Sequence, residues 1–387
     1  MQTASRTSAL LGAAFLMATS AIGPGFLTQT TVFTARLGAG FGFVILLSVL
    51  LDLGAQVNIW RIVAASGRSA PQLANRLLPG LGYVLTALIV SGGLAFNIGN
   101  VAGAGLGLEA LAGIPVEAGA ACSAALAIAL FWLKDAGKAL DIFAKSLGLL
   151  MILLTAWVAV SAQPPMAEVL RQTFFPEKTD AMAIVTIVGG TVGGYISFAG
   201  AHRLLEAGQR GAGSVPAVTR SAFTGIGVAT LMRLLLFLAA LGVVAGGAGL
   251  DPANPPASMF RAAAGDIGYR FFGLVMWAAA ITSVAGCSYT SISFLAEGKN
   301  GRQKAGYSTV FILISTLVFL WVGKPVQVLV WAGALNGLIL PLALAAMLLA
   351  ARKTTLTDGY RLPLIWQAAG WAVVVVMGGM AVTGIKS

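Results

Sequence analysis

Two short stretches decide how this chain is read: Ser20-Ala21-Ile22-Gly23-Pro24-Gly25-Phe26 and Gly189-Gly190-Thr191-Val192-Gly193-Gly194-Tyr195. Each lies inside an apolar run long enough to cross a bilayer. Proline removes a backbone donor and clashes with the preceding turn. Clustered glycines weaken a helix and let its backbone unwind. Unwound backbone at membrane depth survives only where protein buries it or where it lines a cavity. Two such interruptions in matching places of two halves mark the midplane site of an inverted-repeat transporter. The plain alternative is that these glycines serve helix packing, as they commonly do in membranes.

The rest of the chain supports a membrane setting. Of 387 residues, 58% are hydrophobic and 10% charged, against ~25% charged in a typical soluble domain. Spans are read at 9–37 (interrupted), 41–64, 81–108, 116–133, 141–161, 182–208 (interrupted), 217–246, 270–295, 306–322, 326–349 and 363–384. The fold class is therefore all-α integral membrane with about eleven spans. The chain is one transmembrane domain, 1–387, with repeats at 9–161 and 182–349 and an extra helix at 363–384. The longest connections, 162–181 and 247–269, are too short for a separate soluble domain. The N-terminal run is read as the first span, since no cleavage context follows it.

The formal charge is +11, but the basic residues sit in short loops, which is a topology signal and no sign of nucleic-acid binding. Of 24 lysines and arginines, seven fall on one side: Arg36, Arg171, Lys178, Arg261, Arg270, Lys324 and Lys386. Arg233 lies within a span, and the remaining sixteen fall on the other side. The richer side is cytoplasmic by the positive-inside rule, placing the N-terminus inside and the C-terminus outside a bacterial-type inner membrane. Cys122 and Cys287 both lie in apolar runs and read as buried, unpaired thiols. The single His202 cannot build a multi-histidine metal site. No nucleophile–base pair or phosphate loop is present, so neither an enzyme nor a cofactor is expected. Gly103-Ala104-Gly105-Leu106-Gly107 has no strand before it and reads as packing.

On these residues the chain resembles the NRAMP family of the LeuT-like superfamily. Gly12-Ala13-Ala14-Phe15 through Gly23-Pro24-Gly25-Phe26 is similar to that family's first helix, with its Asp-Pro-Gly-Asn break replaced by Gly-Pro-Gly-Phe. Gly38-Ala39-Gly40-Phe41-Gly42-Phe43, Leu111-Ala112-Gly113-Ile114-Pro115, Gly190-Thr191-Val192-Gly193-Gly194-Tyr195 and Leu338-Ile339-Leu340-Pro341 resemble further family tracts in the same order. The resemblance implies a LeuT-like 5+5 inverted repeat with helices 1 and 6 broken. It also implies that the family's metal-ligand positions are here Gly23, Phe26 and Gly193. Its conserved histidine becomes Tyr195, its third-helix acids become Asn97 and Asn100, and its tenth-helix glutamine becomes Ile339.

Backbone carbonyls beside a phenylalanine make a poor divalent site, so no divalent site is expected. Without the carboxylates, exposed N–H groups and half-helix N-termini favour an anion. Arg233 adds a fork of donors suited to carboxylate-like oxygens, unless it only snorkels or caps a helix carbonyl. The expected cargo is a small anion, bicarbonate or a short carboxylate, held by Gly23, Gly25, Phe26, Gly193, Gly194, Tyr195, Asn97, Asn100 and Arg233. Interhelical bonding is an equal reading for Asn97 and Asn100. Asp52, with Gln56 one turn on, either balances Arg233, carries a proton, or belongs to a structural network. The eighth span is rich in hydroxyls, Thr282, Ser283, Ser288, Thr290, Ser291 and Ser293. The resemblance to LeuT-like sodium symporters, whose hydroxyls on this helix help hold sodium, implies a sodium site at Ser283, Ser288 and Ser291. Sodium is thus the expected coupling ion, ahead of a proton, though helix glue explains the same hydroxyls. Two other readings stay open: a proton-coupled divalent-metal transporter, and a membrane sensor that kept the fold without transporting.

Overall fold

The computed structural model describes residues 23–132, 136–296 and 299–386. Residues 9–22 of the first expected span, including Ser20-Ala21-Ile22, lie outside the described residues. So does residue 133, at the end of the fourth.

Among the described residues there is no strand, and fourteen α-helices carry the fold. In chain order they are α1 (Pro24–Leu37), α2 (Phe41–Ser66), α3 (Ala70–Leu77), α4 (Leu81–Ala112), α5 (Val116–Trp132), α6 (Ala136–Ser161), α7 (Met166–Phe174), α8 (Ala181–Thr191), α9 (Ile196–Glu206), α10 (Val215–Ala245), α11 (Pro255–Leu295), α12 (Gly301–Val322), α13 (Pro325–Ala351) and α14 (Leu364–Lys386). Eight stretches are long and apolar enough to cross a membrane, and a ninth forms if the bent pair Leu147–Ser161 and Met166–Phe174 is one span. The protein is thus an all-α, multi-span integral membrane protein.

Local chemistry sets the helix ends. Gly113 and Gly323 close α4 and α12 in the left-handed conformation (φ 69° and 61°), and Pro115 and Pro325 follow each glycine at two residues. Asp180 caps α8 by accepting the Ala183 N–H at 2.9 Å, and it also pairs with Arg36 at 3.1 Å. Two connections hold more helix than their polarity suggests. Residues 247–269 contain the start of α11, which runs from Pro255 and bends at Ala264–Gly265. Residues 162–181 contain α7, turned 105° from the helix before it. Cys287 is buried, but Cys122 is exposed on α5. An apolar run therefore did not fix which face of the helix its thiol occupies.

The interior is built on close approach of backbones. Helix α4 is the central post, packed most extensively against α11 and also against α13, α5 and α12. A Cβ at Gly103 would lie 2.1 Å from the Pro24 side chain, and one at Gly107 would lie 2.6 Å from the Trp277 backbone nitrogen. Helices α8 and α13 touch the same way: a Cβ at Gly189 would fall 1.9 Å from the Gly333 carbonyl oxygen. Without a hydrophobic driving force between helices in lipid, such contacts carry much of the association.

Gly189→Val should therefore force α8 and α13 apart and lower thermal stability in detergent by about 1–3 kcal/mol. Gly378→Ala on α14, where an added Cβ meets nothing within 4 Å, should leave the melting midpoint unchanged. Fluorescence-monitored unfolding of the two variants checks the pair.

Candidate functional site

The second glycine-rich stretch does not unwind where its first glycines stand. Gly189, Gly190 and Thr191 complete α8, and the helix stops at Val192 (φ −128°, ψ 4°). Residues 192–195 form a non-helical turn before α9 begins at Ile196. Two contacts exclude side chains inside this turn. A Cβ at Gly193 would lie 2.3 Å from the Gly189 carbonyl oxygen, and one at Gly194 would lie 2.2 Å from Ile339.

One residue ties this turn down, and the sequence reading passed over it. Asn336 of α13 accepts the Tyr195 N–H on Oδ1 at 2.9 Å, and its backbone carbonyl accepts the Gly194 N–H at 2.8 Å. Its amide nitrogen donates to the Gly92 carbonyl at 3.0 Å and to the Ala332 carbonyl at 2.9 Å. One buried carboxamide thus joins the turn, α13 and α4. The readable signal was an asparagine alone within the apolar run 328–350, since polar groups there must find partners.

Other side chains close around the same place. The Tyr195 hydroxyl donates to the Cys287 carbonyl at 3.2 Å, and the Cys287 thiol donates to the Gly93 carbonyl at 3.2 Å. Gly93 leaves room for Ser291 and the Tyr195 ring, which would lie 2.3 and 2.9 Å from an added Cβ. On α1, Gln29 donates from Nε2 to the Leu329 carbonyl at 2.7 Å. Its Oε1 sits where a Cβ on Gly190 would be, 2.2 Å away. Asn97 donates to Ser315 at 3.0 Å. Gln29 Oε1, Asn97 Oδ1, Thr28 Oγ1 and Ser291 Oγ are buried without a hydrogen-bond partner. Gln29 and Thr28 are further residues that the sequence reading missed.

The remaining expected residues fall as follows. Gly23 is extended (φ −94°, ψ −174°) and caps α1, whose first turn holds Pro24, Gly25 and Phe26, all buried. Asn100 is buried on α4. Arg233 is buried on α10, and its guanidinium lies 4.2 Å from the centre of the Phe26 ring. Asp52 is buried on α2. Of the α11 hydroxyls, Ser288, Thr282, Thr290 and Ser293 donate to carbonyls of their own helix. Ser283 is half-buried, and Ser291 alone of the expected sodium trio has a buried, unpartnered oxygen.

A bundle of apolar helices around a non-helical turn is a build found in membrane transport proteins. Comparison with known proteins narrows the class. Residues 14–387 match the family model described as natural resistance-associated macrophage protein-like, and the chain belongs to the NRAMP family. It is 54% identical over 377 residues to the uncharacterized membrane protein YcsG of Bacillus subtilis (strain 168), covering 97% of this chain and 93% of that protein. It is also 54% identical over 374 residues to an uncharacterized membrane protein of Haemophilus influenzae, covering 96% and 94%. Among solved structures, the Eremococcus coleocola manganese transporter bound to an aromatic bis-isothiourea compound matches with TM-score 0.75 at 15% identity, covering 98% of this chain and 86% of that one. MhsT in complex with L-phenylalanine matches with TM-score 0.67 at 16% identity, covering 97% and 98%.

These findings overturn the expected anion cargo, bicarbonate or a short carboxylate, and the expected sodium coupling. Both expectations are displaced by membership of the NRAMP family and by a fold shared with a protein solved as a manganese transporter. The physical reason lies in the turn. The anion reading needed free N–H groups there, yet those of Gly194 and Tyr195 are already bonded to Asn336. The Arg233 guanidinium lies over the Phe26 ring, and the unpartnered atoms placed beside the turn, Gln29 Oε1 and Ser291 Oγ, are oxygens. Among the described residues no group of three or more His, Cys, Asp or Glu side chains is placed to hold a metal, so the carboxylate cluster of a high-affinity chelate is missing there.

Asn336→Leu should leave the Tyr195 N–H unpaired and destabilise the protein by on the order of 1–3 kcal/mol. Hydrogen exchange in a peptide spanning 190–197 should accelerate in that variant. Unchanged protection there would mean that Asn336 does not hold the turn.

Proposed function

We propose that this protein is a secondary transporter that carries a divalent metal cation of the manganese type by alternating access. The observation that supports the reading is a pair of buried, unpartnered oxygens beside the turn, Gln29 Oε1 against Gly190 and Ser291 Oγ near Gly93 and the Tyr195 ring, with Thr28 Oγ1 and Asn97 Oδ1 likewise unpartnered on α1 and α4. The amide oxygens of Gln29 and Asn97 only accept and so favour a cation, and the Thr28 and Ser291 hydroxyls can turn a lone pair towards it. Manganese accepts carboxylate, carbonyl and water ligands. Carboxamide and main-chain oxygens are its neutral counterparts here. With carboxylates absent from the ligand positions Gly23, Phe26 and Gly193, binding is weaker than in a carboxylate site. That suits a carrier which must release its cargo.

In this reading the transport path runs past Gly23, Gly25, Phe26, Gly193, Gly194, Tyr195, Asn97 and Asn100. Eleven spans follow if 24–37 and 41–66 cross separately and Val116–Trp132 and the bent pair each count as one. Forty-three helical residues from Pro24 to Ser66 would extend about 65 Å, twice the thickness of a bilayer core. The repeats are 9–161 and 182–349, helices 1 and 6 are interrupted, the N-terminus is cytoplasmic and the C-terminus outside.

Purified protein in proteoliposomes should take up manganese down its gradient faster than protein-free vesicles. Gln29→Leu and Asn97→Leu should each slow that flux about tenfold, equivalent to ~1.4 kcal/mol, while leaving reconstitution intact. Absence of manganese flux in the wild type would refute the proposal, and full flux in both variants would remove these oxygens from the site.

A further inference from the structure

A cavity of about 380 Å³ lies where α4, α5, α11 and α13 meet, on the face that the proposed topology places outside. Three carboxylates line it: Glu109 near the end of α4, Glu117 in the first turn of α5, and Asp251 ahead of α11. Lys324 is the one basic residue in the lining, so the cavity is net acidic. Its wall is set by its own hydrogen bonds. The Tyr269 hydroxyl donates to Glu109, 3.1 and 3.2 Å from the two carboxylate oxygens. The Asn254 amide nitrogen donates to the Leu106 carbonyl at 3.3 Å and to Glu109 Oε2 at 3.4 Å. Asp251 accepts the Ala253 N–H at 2.9 Å.

An acidic rim alone is an ordinary solvated surface. What sets this one apart is the other end of the Asn254 amide. Asn254 lines the cavity and is 3% exposed, and with its nitrogen turned to α4 its Oδ1 has no hydrogen-bond partner. A buried acceptor without a donor marks the place of a water or an ion. The ligand that fits brings donors and positive charge together. Among the described residues no three His, Cys, Asp or Glu side chains are placed to hold a bare metal ion. A divalent ion that keeps its waters needs no such cluster, because its polarised waters donate to carboxylate and amide oxygens. Hard divalent ions of the magnesium kind shed water reluctantly and keep several waters when bound. Six waters at ~30 Å³ each fit within the cavity.

The cavity also adjoins α1. Leu106 lines it three residues beyond Gly103, where an added Cβ would lie 2.1 Å from Pro24. Gln327 lines it two residues before Leu329, whose carbonyl accepts the Gln29 amide. About one helical turn on each of α4 and α13 therefore separates the cavity from the first turns of α1. We infer that the cavity is an antechamber that holds a hydrated divalent cation through its waters, with no carboxylate oxygen coordinating the ion directly. A cleft lined by one sign of charge raises the local concentration of its counter-ion. Captured ions then stand beside the transport path and lose water only at the turn. The role in uptake rests on the cation-transport reading, but the cation site itself does not.

Cobalt(III) hexammine separates those parts. Its six ammine ligands do not exchange, so it imitates a hydrated ion and cannot coordinate side-chain oxygens directly. Calorimetric titration of the full-length protein in a neutral detergent should show the complex binding the wild type. Glu117 and Asp251 are exposed, so Glu117→Gln with Asp251→Asn spares the interior, and this pair should weaken binding about tenfold. Glu177→Gln with Asp266→Asn, which neutralises two exposed acids outside the cavity lining, should leave binding unchanged, as should Gln29→Leu. Failure of the wild type to bind, or equal weakening by the two double variants, overturns the inference. In proteoliposomes the complex should slow manganese uptake, and Glu117→Gln with Asp251→Asn should need about tenfold more of it for the same effect. Binding of the complex without any slowing of manganese flux overturns the antechamber. Absence of manganese flux in the wild type with the complex still bound at these acids refutes the transport proposal alone and leaves the cation site standing.

Discussion

The hydrogen bonds of Asn336 hold the centre of this molecule together. A helix that stops at Val192 and resumes at Ile196 leaves backbone N–H groups without helical partners, and at membrane depth no water is guaranteed to replace them. Asn336 supplies both an amide oxygen and a main-chain oxygen to that turn. The same side chain spends its own donors on α4 and α13. The turn, the central post and α13 are thereby fixed as one unit. The glycines follow from this constraint, because Gly92 and Gly193 would otherwise carry Cβ atoms 2.5 and 2.7 Å from the Asn336 side chain.

Because the tether consumes the turn's N–H groups, the chemistry left around it is that of oxygen. The resemblance implies that the family's metal-ligand positions are here Gly23, Phe26 and Gly193, yet the turn, with the Gly194 and Tyr195 N–H groups taken by Asn336, is not built for an anion. Its two buried ionisable side chains, Asp52 and Arg233, lie on α2 and α10, with the Arg233 guanidinium over the Phe26 ring. Neutral oxygens beside the turn would let a cation bind without a carboxylate partner.

Much of the fold was legible in the sequence. Apolar runs placed most of the long helices to within a few residues, because a span's length is dictated by the bilayer and its ends by glycine and proline. The helix from Pro255, however, starts fifteen residues before the expected 270, and the short helices at 70–77 and 166–174 were not expected. The stretch before Gly23 lies outside the described residues, while the non-helical turn at 192–195 was signalled by the glycines at 189–194. Their placement was less legible: Gly189 and Gly190 turned out to serve close packing inside α8, since a glycine marks a backbone approach without saying which kind. The site was harder still. Asn336 and Gln29 carry ordinary polar side chains in apolar runs, and their role depends on partners about 140 and 300 residues away. The anion expectation failed for that reason, because counting lost carboxylates reveals the charge of a site but not which N–H groups remain free. The hydroxyl run of α11 misled likewise, since four of its six side chains bond back to their own helix.

The most direct measurement is anomalous diffraction from crystals of the protein loaded with manganese. The account expects one strong anomalous peak within ligand distance of Gln29 Oε1 or Asn97 Oδ1 and beside the turn at 192–195, with no carboxylate in contact. A peak held by carboxylates elsewhere in the chain, or no peak at manganese concentrations that support flux, would contradict it.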